Sequence, residues 1–592
     1  MRILFDSKSE TFKAPFGCLV PGQPCRISIH IPPTALAVGA QCVVCGEDGV
    51  ELFHRDMLLT AIEGDYGIYS GEISFAEPGL YFYYFYIRKA EGGFRLFKAG
   101  DGTNMEAGDK WQISCIPADF TTPDWAKGGV IYQIFPDRFH KAGVCDLTGK
   151  LTPYTLHENW EEEVHWRPNE KGEVLNNDFF GGNFRGITEK LDYIASLGAT
   201  IIYLNPISKS FSSHRYDTGD YKTPDPMLGT EEDFKNLCEA AHKRGIRVIL
   251  DGVYSHTGSN SLYFNREGSF ESLGAYQSEK SPYYSWFTFH EFPGRYDSWW
   301  GFKTLPTVKK MDPAFMEYII TGEDSVIEHW LRLGADGFRL DVADELPDGF
   351  IAALKKHLRK LRPDALLMGE VWEDASNKIA YDTRRRYFVD GELDSIMNYP
   401  FRTAILNFVR GEDTGEAFAD SVMTIAENYP TQVLCCNMNL LGTHDTPRIL
   451  TALVDDFDGS REELAARKLS KEQRELAVKR LKIAIFLQFA LPGCPSIYYG
   501  DEAGMEGGKD PFNRRTYPWG KEDKGLVDHF RYLGELRKRY PDLREGDVRF
   551  IHSAKGRIAF VRGAVKCYVN RTDTPWILDN GEMVPPMAWR VE

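Results

Sequence analysis

From Val130 to Tyr499 one rhythm recurs eight times: a short apolar run ends in polar residues and gives way to a helical stretch. The runs are Val130–Phe135, Thr200–Leu204, Arg247–Val253, Gly337–Val342, Leu366–Val371, Leu393–Asn398, Leu440–Thr443 and Pro495–Tyr499. Helical segments such as Glu231–Arg244 and Phe350–Leu361 lie between them. Strands that alternate with helices run parallel, and eight such units predict an α/β chain built on a (β/α)8 TIM barrel. The third unit departs from the rhythm. Residues 254 to 312 are irregular and aromatic, with Trp286, Trp299 and Trp300. So long an insertion reads as a B domain that shapes one wall of a site.

Residues 1–122 have a different texture. Short β-rich runs such as Cys25–Ile31, Gln41–Cys45 and Leu80–Ile87 lie between Gly, Pro and Asp turns, which predicts an N-terminal β-sandwich. The run Tyr81-Phe82-Tyr83-Tyr84-Phe85-Tyr86 puts aromatics on both faces of one strand. One face must be core; the other is either covered or binds sugar or a partner chain. Thr121-Thr122-Pro123-Asp124 reads as a linker into a catalytic domain over 123–540, with the B domain at about 254–312 inside it. A helix near Gly525–Tyr540 precedes a small C-terminal β domain at 541–592.

Composition narrows the function. Asp+Glu 86 against Lys+Arg 70 gives a net charge of −16, which argues against nucleic acid as a partner. The longest apolar stretch, Ile483–Leu491, contains Gln488 and stops at Pro492, far short of the roughly 20 residues a spanning helix needs, so no membrane is expected. The start, Met1 to Asp6, lacks the apolar stretch of a secretory signal. The 11 cysteines are scattered, and Cys42/Cys45 is a lone pair inside an apolar strand. Reduced thiols in a cytoplasm are the simplest expectation.

In a barrel of this kind the chemistry belongs at the C-terminal ends of the strands. Four ends carry polar clusters: Asp251-Gly252-Val253-Tyr254-Ser255-His256, Arg339-Leu340-Asp341, Gly369-Glu370-Val371-Trp372 and Gly442-Thr443-His444-Asp445. Arg339 and Asp341 are two apart and share a face, so the guanidinium is expected to keep Asp341 ionised, as a nucleophile requires. Glu370 has apolar neighbours, which raise a carboxyl pKa and suit a general acid. Taken singly, these groups read equally well as a structural ion pair, a helix cap and core histidines. Together, two carboxyl groups and a third acid at strand ends fit glycoside hydrolysis through an oxocarbenium-like transition state.

These residues stand in longer motifs: IYQIFPDRF (131–139), HRYDTGDY (214–221), DGVYSHTG (251–258), GFRLDVADE (337–345), GEVW (369–372), MNYPF (397–401), GTHDTPR (442–448) and GDEAGMEGGKDPFNRRTYPW (500–519). With them the chain resembles the α-amylase family of glycoside hydrolases, and within it the neopullulanase/cyclomaltodextrinase/maltogenic amylase branch. The resemblance implies a double displacement. Asp341 attacks the anomeric carbon, Glu370 protonates the leaving oxygen and then activates water, and Asp445 holds sugar hydroxyls. It further implies that Arg339 orients Asp341, that His256 and His444 bind hydroxyls of the cleaved glucose, and that Tyr216 stacks beneath it. Arg514 with Asp510 contacts the next glucose, Trp372 lines the leaving-group side, and Asp251 supports the site.

Three departures from the family pattern matter. Ser255 stands where relatives carry an Asn that binds calcium in many α-amylases. Some relatives bind calcium through an Asn/Asp-rich loop after the first strand and an Asp in an FFGGD stretch; here the loop reads His140-Lys141-Ala142-Gly143-Val144-Cys145-Asp146, and the other position is Asn183. Calcium needs several oxygen ligands, so no metal or other cofactor is expected to be required. After Asp341 the chain reads Val342-Ala343-Asp344-Glu345, without the Lys-His of endo-acting α-amylases, which favours short or cyclic substrates.

The expected function is retaining hydrolysis of α-1,4-glucosidic bonds in maltooligosaccharides and cyclodextrins, with pullulan as a further substrate. One alternative is an α-1,6-active or transglycosylating relative on the same scaffold. Another, of a different class, is a non-catalytic glucan-binding or scaffold protein, which the presence of all three acids disfavours. The resemblance also favours a homodimer in which the N-terminal domain narrows the partner's cleft.

Overall fold

The computed structural model describes residues 2–100, 102–105, 107–455 and 459–592. Its contacts divide the chain into two units. One comprises Met1–Thr121 with two later segments, Asp374–Glu392 and Glu416–Leu434; the other holds Thr122–Glu373, Leu393–Gly415 and Cys435–Glu592.

In the larger unit each of the eight expected strands is present: β1 (Ile131–Ile134), β2 (Ile201–Leu204), β3 (Arg247–Gly252), β4 (Gly337–Leu340), β5 (Leu366–Gly369), β6 (Ser395–Ile396), β7 (Met438–Leu440) and β8 (Cys494–Tyr498). They pair in parallel in the order β6-β5-β4-β3-β2-β1-β8-β7. A parallel bridge from Met397 to Met438 joins the two ends, closing the barrel. Every residue of β1, β2, β4 and β5 is buried, as expected of strands filled on the inside by side chains and covered outside by helices.

The helices between strands follow local rules. Glu231–His242 starts from Thr230 in a reciprocal capping box with Asp233 and buries Phe234, Leu237, Cys238 and Ala241 on one stripe. The apolar stretch from Ile483 closes the helix Lys471–Ala490, and its residues from Ile483 to Ala490 are all buried. Among the described residues no helix is long and apolar enough to cross a membrane.

The seventh strand sits earlier than the sequence suggested, at Met438–Leu440 rather than Leu440–Thr443. Asn439 masks it. That amide is buried, donates to Pro492 O and accepts from Asn398 Nδ2, so a polar residue occupies a core position at little cost. The insertion after β3 holds short 3₁₀ turns and a two-stranded hairpin around an aromatic cluster in which Trp286 is buried. Four antiparallel strands, Val548–Ala554, Arg557–Arg562, Val565–Asn570 and Ala588–Val591, lie near the C-terminus.

In the smaller unit, inward residues of Cys25–Ile31, Gly39–Cys45, Gly79–Arg88 and Trp111–Cys115 meet in one core. The long strand Glu51–Glu63 pairs with Gly39–Cys45 along its first half and with Tyr66–Ile73 along its second, so it belongs to both sheets of the sandwich. On the aromatic strand Tyr83 and Phe85 enter that core, while Phe82, Tyr84 and Tyr86 join Val43, Cys45 and Phe97 in a second cluster. Both faces are therefore covered. Cys42 and Cys45 fall into the two different clusters, which separates the pair as joint ligands.

Candidate active site

The alternation of β4 sends Arg339 into the barrel while Phe338 and Leu340 pack elsewhere in the core. Its guanidinium has no exposed surface and meets three carboxylates. Nη1 donates to Asp251 Oδ1 at 2.7 Å and to Asp341 Oδ1 at 2.9 Å, and Nη2 lies 2.9 Å from Glu370 Oε2. Three strand ends, those of β3, β4 and β5, thus converge on one cation. Asp341 and Glu370 therefore meet at the same planar group.

Glu370 is fixed from two further sides. Oε2 accepts the Val342 N–H at 2.8 Å, and Oε1 accepts from Trp372 Nε1 at 3.2 Å. Val342 follows Asp341 directly and has φ 41°, a left-handed conformation that a β-branched residue rarely adopts. That turn aims its N–H at Glu370, an example of backbone strain held where it positions a reactive group. Trp372, about half exposed, stacks on Tyr399 at 4.1 Å and 11°.

Asp445 follows β7 and has a side chain 32% exposed. His444 Nε2 is 3.0 Å from its Oδ2, and Arg514 Nη2 donates to Oδ1 at 3.4 Å. Arg514 also donates from Nε to His444 O and pairs through Nη1 with Asp510 Oδ1 at 2.9 Å. His444 is held in turn by Gln133 on Nδ1 and by the Tyr216 hydroxyl on Nε2. Tyr216 lies parallel to the His444 ring at 5.3 Å, and its hydroxyl donates to Asp251 Oδ2. Asn205 and Tyr203 complete the network by donating to Tyr216 Oη and Asp251 Oδ2.

The electrostatics correct one expectation. Burial pushes Asp341 well above the ordinary carboxylate range; Arg339 opposes this, while Glu370, Asp251 and Asp445 add to it. Arg339 does not hold Asp341 low, because burial and the three neighbouring acids outweigh its attraction. Burial also raises Glu370, again against Arg339 and with help from Asp445. Neighbours on one cation, the two carboxyls titrate as a pair. For Asp445 burial acts upward too, yet His444, Arg514 and Arg339 hold it well below the usual range.

His256 is held from two sides. It is buried, its Nδ1 pairs with Ser255 Oγ at 2.8 Å and its Nε2 with Tyr216 O at 3.1 Å. Both nitrogens are occupied by protein, so a sugar contact requires Nε2 to leave Tyr216 O. Burial brings this ring's pKa down to about 4, so it stays neutral. Beside it stands Trp299 at 5.4 Å, from the inserted segment, followed by Trp300, which is 74% exposed and donates from Nε1 to Glu345.

The chain matches the family described as α-amylase, catalytic domain, over residues 133–542. It is 35% identical to a cyclomaltodextrinase of Geobacillus thermopakistaniensis, over 73% of this chain and 66% of that protein.

The chain belongs to the α-amylase family.

This family member is also 38% identical to an amylopullulanase of Thermoanaerobacter thermohydrosulfuricus, over 84% of this chain. It spans only 36% of that protein, and 45% and 31% of two further amylopullulanases. The solved type III pullulan hydrolase from Thermococcus kodakarensis superposes with a TM-score of 0.68 at 28% identity, covering 100% of this chain and 99% of that one.

Sequence reasoning missed Gln133, Asn205, Tyr203 and Tyr399. Gln133 and Tyr399 sit within quoted motifs and Tyr203 and Asn205 at the end of the second strand run, but nothing in their type marks them as holders of another side chain. Ser255 and Asn183, noted as departures, have roles of their own. Ser255 pairs with His256, as given above. Asn183 caps the helix Phe184–Glu189 through Gly186 N and donates to Ala142 O, so its amide ties down the loop that begins at His140.

Proposed function

We propose that this α-amylase-family chain is a retaining glycoside hydrolase that cleaves α-1,4-glucosidic bonds in maltooligosaccharides and cyclodextrins. The observation that carries the reading is the sharing of Arg339 by Asp341, Glu370 and Asp251, with Asp445 close enough to shift both reactive acids. Asp341 is the nucleophile, forming a bond to the anomeric carbon as the bond to the leaving oxygen breaks. Glu370 gives that oxygen its proton, then takes one from the water that releases the glycosyl-enzyme.

Attack begins with the proton on Glu370 and Asp341 anionic, a form that the Arg339 Nη1 hydrogen bond to Asp341 Oδ1 favours. Asp445, anionic through His444 and Arg514, grips hydroxyls of the same ring. Arg514 and Asp510 contact the next glucose, and the exposed Trp372 face, backed by Tyr399, receives the leaving-group sugar. No step uses a metal or other cofactor.

A second reading, added activity on α-1,6 bonds, is supported by the amylopullulanase and pullulan hydrolase relatives. Rates on β-cyclodextrin, pullulan, soluble starch and maltotriose, with products separated, distinguish the two. Products longer than maltotriose report transfer to sugar in place of water. The homodimer through the N-terminal unit is part of the proposal, and light scattering at working concentration tests it. A cytoplasmic setting is supported by 11 cysteines that are all free thiols.

Glu370→Gln tests the chemistry. An amide has no proton to give, so hydrolysis of maltotriose falls by about 10²–10⁴. An aryl maltoside, whose leaving group needs little protonation, loses much less. Near wild-type hydrolysis of maltotriose overturns the acid assignment.

A further inference from the structure

The chain between β1 and β2 carries a cluster that the chemistry above does not use. One nitrogen each from His157 and His165 and one oxygen from Asp178 all lie within 4.8 Å of one another. His157 is buried and its plane is set by stacking on Phe180 at 4.0 Å and 16°. Its Nδ1 lies 2.6 Å from Glu162 Oε2, and its Nε2 lies 3.2 Å from Asp178 Oδ2. A neutral imidazole donates from one nitrogen only, so the other lone pair here faces a carboxylate oxygen. Either a second proton or a cation beside Nε2 resolves that contact.

Three observations favour the cation. The His165 ring stands edge-on at 4.9 Å from His157, and no hydrogen bond reaches its imidazole among the described residues. Its own backbone N–H donates to Asp178 Oδ2 at 3.1 Å, which holds the main chain of His165 beside that carboxylate. Second, all donors to the Asp178 carboxylate converge on Oδ2, leaving Oδ1 for another partner. Third, the Arg138 guanidinium is committed to Asp137 Oδ2 at 2.6 Å and stands 3.5 Å from Asp178 Oδ2, which leaves Asp178 room for a closer cation.

We propose that His157 Nε2, the His165 ring and the Asp178 carboxylate bind a divalent first-row transition ion of the zinc class, with solvent in the remaining position. Two imidazoles and one carboxylate suit zinc, cobalt or nickel and not calcium, which takes six to eight oxygens. Glu162 on Nδ1 is the carboxylate that orients a ligating histidine and raises its basicity. The ion is a clasp and takes no part in catalysis. Arg138 donates to Asp178 O at 3.1 Å and to Arg514 O at 2.9 Å, and Trp160 Nε1 donates to Tyr517 O at 2.9 Å. Fastening the 157–178 excursion thereby steadies the loop that carries Arg514.

The test uses the full chain without a histidine tag, stripped with chelator and titrated with Co²⁺ at neutral pH. The expected result is a visible d–d absorption band that saturates at one equivalent and is displaced by Zn²⁺, with a rise in Tm on either ion. His165→Asn, an exposed change that leaves the fold intact, abolishes the band, and Glu162→Gln weakens binding by about 10–100-fold. Maltotriose hydrolysis by the stripped chain persists, which separates this site from the catalytic assignment. Absence of a band in the wild type, or an unchanged band in His165→Asn, overturns the proposal and leaves a protonated His157 between two carboxylates.

Discussion

Arg339→Met is the most informative single change. The guanidinium is within 2.7–2.9 Å of oxygens from Asp251, Asp341 and Glu370, and none of the four side chains is more than 9% exposed. Unit charges about 4 Å apart at an effective dielectric of ~20 attract by about 4 kcal/mol, and removing one partner of a buried pair costs about 3–5 kcal/mol at neutral pH. The sign with pH follows from linkage. Asp341 and Glu370 already sit above their ordinary values, and losing the cation raises them further. The folded state then binds more protons than the unfolded one as pH climbs through the carboxylate range, so the deficit widens with pH. Urea unfolding at intervals from pH 4 to pH 8 should show a small gap to wild type at the acid end and the full gap near pH 7. The acidic limb of kcat/KM should move up by about 1–3 units in the variant. Arg339→Lys, which keeps the charge and loses the fork, should fall between. A gap that is flat across this range, or an acidic limb that stays in place, would falsify the idea that the cation serves the acids electrostatically.

Other outcomes follow from the same geometry. Val342→Gly removes a left-handed cost of about 1–2 kcal/mol and adds a similar backbone-entropy cost, so stability should change by less than about 1 kcal/mol while kcat drops as the Glu370 contact loosens. A loss above about 3 kcal/mol would mean the side chain matters more than the turn. Trp372→Ala deletes the exposed platform stacked on Tyr399, and product analysis on maltotriose should show fewer transfer products together with a higher KM; unchanged product ratios would remove Trp372 from the leaving-group side. Asp445 is held below its ordinary value, so its contribution to stability is present above about pH 4 and fades as pH falls. The Tm gap between wild type and Asp445→Asn should therefore shrink between about pH 5 and pH 3, and a constant gap would contradict the pairing with His444 and Arg514.

The barrel was legible in the chain because parallel strands buried on both faces must be apolar throughout, and eight such runs separated by helices leave little topological freedom. Where polarity interrupted a run, as at Asn439, the boundary was misread, since only the folded core supplies partners that make a buried amide acceptable. The acids at strand ends could be named from sequence, because their positions follow from strand alternation and from motifs such as GFRLDVADE (337–345). Their protonation could not. Arg339 and Asp341 are neighbours in the chain, and two residues taken alone predict an ion pair. Only the closed barrel brings Asp251 and Glu370, from strands 88 and 28 residues distant from Arg339 and Val342 respectively, onto the same few ångströms of charge. Electrostatic energy depends on distances in space, and spacing along the chain fixes those only within one strand. For the same reason the contact of His256 Nε2 with Tyr216 O, 40 residues away in the chain, was not legible in the sequence.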